Sequence, residues 1–171
     1  MVGGNPLQIN VVELRRSVGN QRQVSEVVGL DDVALSSARL VPGSDVTVEL
    51  LLEAVSGGVS ATGTVDAAWN GECRRCLDTV SGDLHVDVSE VYEDRPTEGE
   101  TYPIEGDNID LEPMLRELAI LALPINPLCR EDCPGPVPEV FPVVVESDDD
   151  EGPTTDPRWA ALDALRDDVG A

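Results

Sequence analysis

Four cysteines in two close pairs are the residues best suited to chemistry in this chain: Cys73-Arg74-Arg75-Cys76 and Cys129-Arg130-Glu131-Asp132-Cys133. Two Cys separated by two residues can hold one metal ion where the chain reverses, and a second pair completes a tetrahedral thiolate site of the kind zinc takes. The second pair has three intervening residues, a less common spacing that is still open geometrically to the same use. The 52 residues between the pairs would tie a strand bend to the end of a helix. Four thiolates leave no position for substrate or water, so a site of Cys73, Cys76, Cys129 and Cys133 would be structural. Unligated thiols and redox chemistry stand beside zinc as readings of the same residues. A thioredoxin-like role calls for a βαβ context after the first pair, and none is visible. Arg74 and Arg75 are placed to lower a thiol pKa or to contact a phosphate.

Other catalytic groupings are missing from the sequence. The lone His85 falls on the polar face of an alternating segment, as an exposed strand residue would. No His partners a Ser or Cys by motif, no Gly-rich phosphate loop occurs, and the carboxylates follow no catalytic spacing. The expectation is a protein that is not an enzyme.

The elements that must position the cysteines can be read from periodicity. Val46, Val48, Leu50, Leu52 and Ala54 alternate with Thr47, Glu49, Leu51 and Glu53, the pattern of a half-buried strand. Ser56-Gly57-Gly58 turns the chain into a second alternating run through Val59, Ala61, Gly63, Val65, Ala67 and Trp69. A third strand follows at Asp83 to Val91, so the bend Asn70 to Asp78 carries Cys73 and Cys76. Leu7 to Leu14 could add a strand that runs into a polar turn at Ser17 to Gln23. Glu93 to Asn108 reads as a loop. Asp110 is placed to cap a helix with Glu112 and Pro113 in its first turn, an apolar face of Leu111, Met114, Leu115, Leu118, Leu121 and Ala122, and a stop at Pro124. The fold expected is α+β: an antiparallel β meander or small open barrel packed by one main helix, over residues 1–133. Residues 134–155, rich in Pro and ending in Ser147-Asp-Asp-Asp-Glu151 and Gly152-Pro153, read as an acidic linker without a core of its own, with a short edge strand expected at Val143, Val144 and Val145. A short C-terminal helix over 156–169 is expected from the Asp156 cap, Pro157 and the stripe Trp159, Leu162 and Leu165; such a stripe docks on its own core or on a partner.

Composition narrows the function classes. Only 3% of the 171 residues are aromatic against 41% hydrophobic, so Val, Leu, Ala and Ile must fill the core. All 11 basic residues are Arg, and the net charge of -23 argues against broad binding to a phosphate backbone. Residues 1–40 are neutral, with four Arg against Glu13, Glu26, Asp31 and Asp32, so residues 41–171 carry the whole charge. Any RNA contact is then better placed in the neutral segment or made through a protein. The acidic body would attract basic partners such as ribosomal proteins, although solubility alone would also account for it. There is no membrane-length apolar run and no signal-peptide pattern at Met1, which predicts a cytoplasmic protein with reduced thiols.

In order along the chain, the Cys73-x-x-Cys76 pair, the helix from Ile109 to Pro124, Pro127-Leu-Cys129 and the segment Asp156 to Leu165 resemble the YceD family of large ribosomal RNA subunit accumulation proteins, over roughly residues 40–168. The resemblance implies a non-catalytic cytoplasmic ribosome-biogenesis factor that supports accumulation of large-subunit ribosomal RNA, with a ribosomal protein or the large-subunit rRNA precursor as partner and no catalytic residues. Alternative readings are a zinc-stabilised acidic adaptor for a basic protein and a thiol-based redox or RNA-modifying enzyme. Many relatives continue after Pro-Leu-Cys-Arg with Gly-Leu-Cys-Pro-x-Cys-Gly, whereas this chain has Gly135-Pro-Val-Pro-Glu-Val-Phe141, with Val137 and Val140 where two Cys would stand. An inserted C would convert codons for Gly-Leu-Cys-Pro-Arg-Cys-Ser into codons for Gly-Pro-Val-Pro-Glu-Val-Phe. A local frameshift restored before Asp156 is therefore a hypothesis, which codons incompatible with the shifted frame would remove.

Overall fold

Alternating side chains build the centre of the molecule, as periodicity predicts, in a computed structural model that describes residues 5–140. Strand β4 (Val46–Val55) buries Val46, Val48, Leu50, Leu52 and Ala54, and β5 (Gly58–Glu72) buries Val59, Ala61, Val65 and Ala67. The two pair antiparallel from Val46↔Ala67 to Val55↔Gly58, across a two-residue turn at Ser56 and Gly57 in which Gly57 takes φ +94°. A second hairpin joins β5 to β6 (Thr79–Glu93), in register from Gly58↔Glu93 to Glu72↔Thr79. Small residues on the inner face, among them Ala54, Ala61, Gly63 and Ala67, let this sheet curl. Gly63 is required there: its φ is +151°, and a Cβ would lie 2.0 Å from the carbonyl oxygen of Glu49 on β4.

Five further strands complete the sheet. β1 (Gln8–Asn10), β2 (Gln21–Val28), β3 (Ala38–Leu40), β7 (Tyr102–Glu105) and β8 (Asn108–Asp110) extend it to the order β1-β8-β7-β6-β5-β4-β2, with β3 on β5 beyond the start of β4. All pairings are antiparallel except β6 with β7. The terminal strands β1 and β2 do not pair, which leaves the curled sheet an open half-barrel. A 3-10 turn at Leu14–Arg16 runs between them, and the Arg22 guanidinium donates to the carbonyl of Asn10 at 3.1 Å. Helix α1 (Glu112–Ala122) packs on β6 and buries Met114, Leu115 and Ala119. Among the described residues the largest fully buried side chain is Tyr92, whose hydroxyl donates to the Asp110 carbonyl at 3.3 Å.

An open barrel packed by one helix is thus the architecture, and several boundaries differ from those expected. Ser17 to Gln23 is not wholly a turn, because β2 begins at Gln21: Gln21, Arg22 and Gln23 are polar yet paired with Glu53, Leu52 and Leu51. Glu93 to Asn108 is not wholly a loop, because it contains β7 and the first residue of β8, whose few apolar residues (Ile104, with Ile109 just beyond) are both buried. The helix turns slightly from the expected face: Ala119 and Leu123 are buried, whereas Leu121 is 75% exposed and Ala122 is exposed. Asp110 does serve the helix start, its Oδ1 accepting the N–H of Glu112 at 2.9 Å. Of the 134–155 linker only 134–140 falls within the described residues, in turns; the expected strand at Val143, Val144 and Val145 and the helix over 156–169 lie outside them.

Candidate metal centre

The bend that carries the first Cys pair is narrower than expected, because β5 runs to Glu72 and β6 starts at Thr79. The N–H of Cys73 donates to the carbonyl of Asp78 at 2.8 Å, and the N–H of Leu77 to the carbonyl of Cys73 at 2.9 Å. Leu77 closes this tight reversal in the left-handed region, at φ +65°. Beyond α1, Pro124 stops the helix and the chain doubles back over the bend. The N–H of Arg74 donates to the carbonyl of Pro127 at 2.9 Å, and the buried Ser37 hydroxyl to that of Pro124 at 3.2 Å. The Arg75 guanidinium then reaches the carbonyls of Glu131 at 2.9 Å and Cys133 at 3.1 Å.

These clamps bring all four cysteines together. The sulfurs of Cys73, Cys76, Cys129 and Cys133 lie within 4.8 Å of one another, with Cys73 to Cys133 at 3.8 Å and Cys76 to Cys129 at 3.7 Å. A disulfide would need about 2.05 Å. Four thiolates about 2.3 Å from one ion at the centre of a tetrahedron stand about 3.8 Å apart, so the spacing fits a shared metal. Cys73 and Cys133 are buried, Cys76 is half-buried and Cys129 is exposed.

The backbone prepares the cluster for negative charge. The N–H of Cys76 first, then that of Cys129, and less strongly that of Arg75, favour the Cys73 thiolate and bring its pKa down to about 6 against the opposing effect of burial. For Cys76 the backbone N–H of Asp78 favours the thiolate. Burial, the neighbouring sulfurs and the Asp78 carboxylate, 3.3 Å from its sulfur, outweigh that and push its thiol up. Cys129 is also pushed up, first by its contact with Cys133 and then by burial. One sulfur therefore takes a charge readily while Cys76 and Cys129 are held toward the protonated form, as like charges in one cluster require. A cation at the centre would remove that repulsion and let all four ionise. Soft sulfur donors suit such an ion better than the oxygen-seeking calcium or magnesium.

The sequence pointed to the four ligand candidates but not to their supports. Asp78 acts on Cys76 through the tight local reversal, and the Arg75 guanidinium, which spans to the second pair, becomes visible only with both segments in place. Arg74 does engage the second segment, through its backbone. His85 stands far from this chemistry as an exposed strand residue. It lies opposite Asp66 in the β5–β6 register, with Nδ1 2.6 Å from Oδ1 and a pKa raised first by that hydrogen bond.

Fold and cluster together define a small β-rich protein, an open half-barrel whose hairpin tip meets the chain leaving its helix at a cluster of four cysteines. The chain belongs to the YceD family, large ribosomal RNA subunit accumulation protein YceD, with a match over residues 61–166 that takes in both Cys pairs and α1. It is also similar to uncharacterized proteins of Mycobacterium bovis and Mycobacterium tuberculosis, each 33% identical over 171 residues that cover 92% of this chain and 80% of the relative. An uncharacterized protein of Mycobacterium leprae is 30% identical over 175 residues, covering 96% and 80%. No solved structure matches the chain. No helix among the described residues is long and apolar enough to cross a membrane.

Proposed function

We propose that this chain is a non-catalytic cytoplasmic ribosome-biogenesis factor that supports accumulation of large-subunit ribosomal RNA, and that Cys73, Cys76, Cys129 and Cys133 hold one structural zinc ion. Family membership supports the first part. The observation that supports the second is the pair of sulfur separations of 3.8 and 3.7 Å, close to the edge length of a tetrahedral thiolate site, within a cluster no wider than 4.8 Å. The protein supplies the ion with four ligands and no open position, so the ion's task is to fasten the β5–β6 tip to the segment after α1.

Contact with the ribosomal precursor is made through a basic protein rather than broadly through RNA. Residues 1–140 carry nine Arg against 25 acidic residues, a net charge of -16. Three of the four Arg in the neutral segment already have protein partners: Arg15 pairs with Asp94, Arg16 with Glu13, and Arg22 with the Asn10 carbonyl. That leaves few guanidiniums to release counterions from a phosphate backbone, whereas the acidic surface would steer a Lys- and Arg-rich ribosomal protein.

Affinity purification of the full chain with identification of bound protein and RNA tests this reading, alongside the ratio of large to small rRNA in cells lacking it. Enrichment of large-subunit proteins and a lowered ratio are expected. No ribosomal component in the eluate, together with an unchanged ratio, would end the functional proposal. Metal analysis of the purified protein separately tests for one zinc per chain.

A further inference from the structure

The four sulfurs are not equally placed. Cys73 and Cys133 are 0% and 1% exposed, while Cys129 is exposed and Cys76 half-buried, so the cluster has a sealed side and an open corner. The open corner joins the two segments of the clamp, because Cys76 sits on the β5–β6 bend and Cys129 beyond α1. Their sulfurs are 3.7 Å apart, close enough to bond after a small movement of either side chain. A carboxylate oxygen of Asp78 lies 3.3 Å from the Cys76 sulfur, on the open side of the cluster.

We propose that the cluster is an oxidation site for peroxides, which cross-link Cys76 to Cys129 first and expel the metal. The inference rests on the reading that the four thiolates share a zinc ion. In the first step the Cys129 sulfur attacks one oxygen of the peroxide; the O–O bond breaks, giving a sulfenic acid at Cys129 and hydroxide or alkoxide. In the second, the Cys76 sulfur attacks the Cys129 sulfur, the S–S bond forms, and the sulfenic oxygen leaves as hydroxide. The two cysteines enter as metal-bound thiolates, so the departing hydroxide or alkoxide oxygens take their protons from solvent. Two cysteines lose two electrons, the peroxide gains them, and zinc, which has no redox chemistry of its own, keeps its charge. Cys73 and Cys133 alone make only half a tetrahedral site, so the ion departs.

The bond that forms spans the same two segments the ion held, so the β5–β6 tip stays fastened to the chain after α1 while the metal is lost. Thiol reductants reverse the change. This differs from closure within the Cys73-x-x-Cys76 pair, which would leave the second segment free; the burial of Cys73 sets that route behind.

The test uses the zinc-loaded full chain, hydrogen peroxide and a chromogenic zinc indicator, with peptide mapping at the first point of release. The result expected is release of one zinc per chain, a protein lighter by two hydrogen atoms, and a Cys76–Cys129 link as the first disulfide. Cys129→His keeps a zinc ligand but removes the exposed thiol, and release should slow by about tenfold or more. Zinc retained with all thiols reduced, or a first disulfide that joins Cys73 to either neighbour, would overturn the proposal. So would unchanged release in a zinc-loaded Cys129→His; if that variant binds no zinc, the order of disulfides in the unsubstituted chain decides. A chain that takes up no zinc before any peroxide is added would overturn the underlying metal reading, and this inference with it.

Discussion

Removing the metal should loosen the protein by an amount the topology sets. A zinc ion shared by Cys76 and Cys129 would act as a cross-link between residues 53 apart. Closing a loop of that length in the unfolded chain removes about 4 kcal/mol of conformational entropy on the chain-entropy scale. For a domain of this size each kcal/mol moves Tm by about 3–5 °C, so full loss of the cross-link should lower Tm by about 10–20 °C. Protons also compete with metal for the four sulfurs, so the effect of a fixed chelator concentration should grow as pH falls. The assay is thermal unfolding followed by circular dichroism, on protein of measured zinc content, before and after dialysis against a strong chelator. Because the β4–β5 hairpin and α1 have their own apolar core, the far-UV spectrum of the zinc-free protein at low temperature should keep its β-rich form. If chelation removes stoichiometric zinc and Tm moves by less than about 3 °C, the ion does not fasten the two segments as described.

Other substitutions test the sheet, the helix and the surface. Gly63→Ala should destabilise by several kcal/mol in urea unfolding, about 3 or more, because its Cβ would stand 2.0 Å from the Glu49 carbonyl oxygen; a change below about 1 kcal/mol would contradict the close approach of β4 and β5. Leu115→Ala, which empties a fully buried position under α1, should cost about 2–5 kcal/mol in the same assay. Asp110→Ala should cost about 1 kcal/mol through the lost acceptor for the Glu112 N–H, and Asp110→Asn should recover most of it. His85 should titrate above its ordinary value by NMR and move back toward it in Asp66→Asn, which removes the largest cause of the rise. Since its folded pKa is raised, its small stabilising effect is complete below about pH 6.5 and fades as pH rises through the folded value.

Legibility followed the strength of the apolar pattern. Val46 to Ala54 and Val59 to Trp69 each show several apolar positions at period two, and their inner faces are the buried ones. β2 was hidden because Gln21, Arg22 and Gln23 lead a strand at the sheet's border, where one row of backbone groups and most side chains face water. β7 and β8 are three or four residues each, too short for an alternating period to show, and the pairing of β8 with β1 joins segments remote in sequence. The drift of the helix face from Leu121 to Ala119 reflects where β6 lies against α1, which the helix's own sequence does not specify.

The cysteine site divides in the same way. Residue chemistry alone identified Cys73, Cys76, Cys129 and Cys133, because two close pairs of thiols in a chain expected to stay reduced have few uses. Acidity, the scarcity of aromatics and the α1 helix were equally legible, since each is a local or summed property of the chain. Only the tertiary structure decided that the pairs meet, with 52 residues between them, because that depends on the length of the β5–β6 hairpin and on the path the chain takes after Pro124. It also decided which sulfurs are sealed and which face water. That depends on what packs over each atom, and spacing along a sequence carries no record of it.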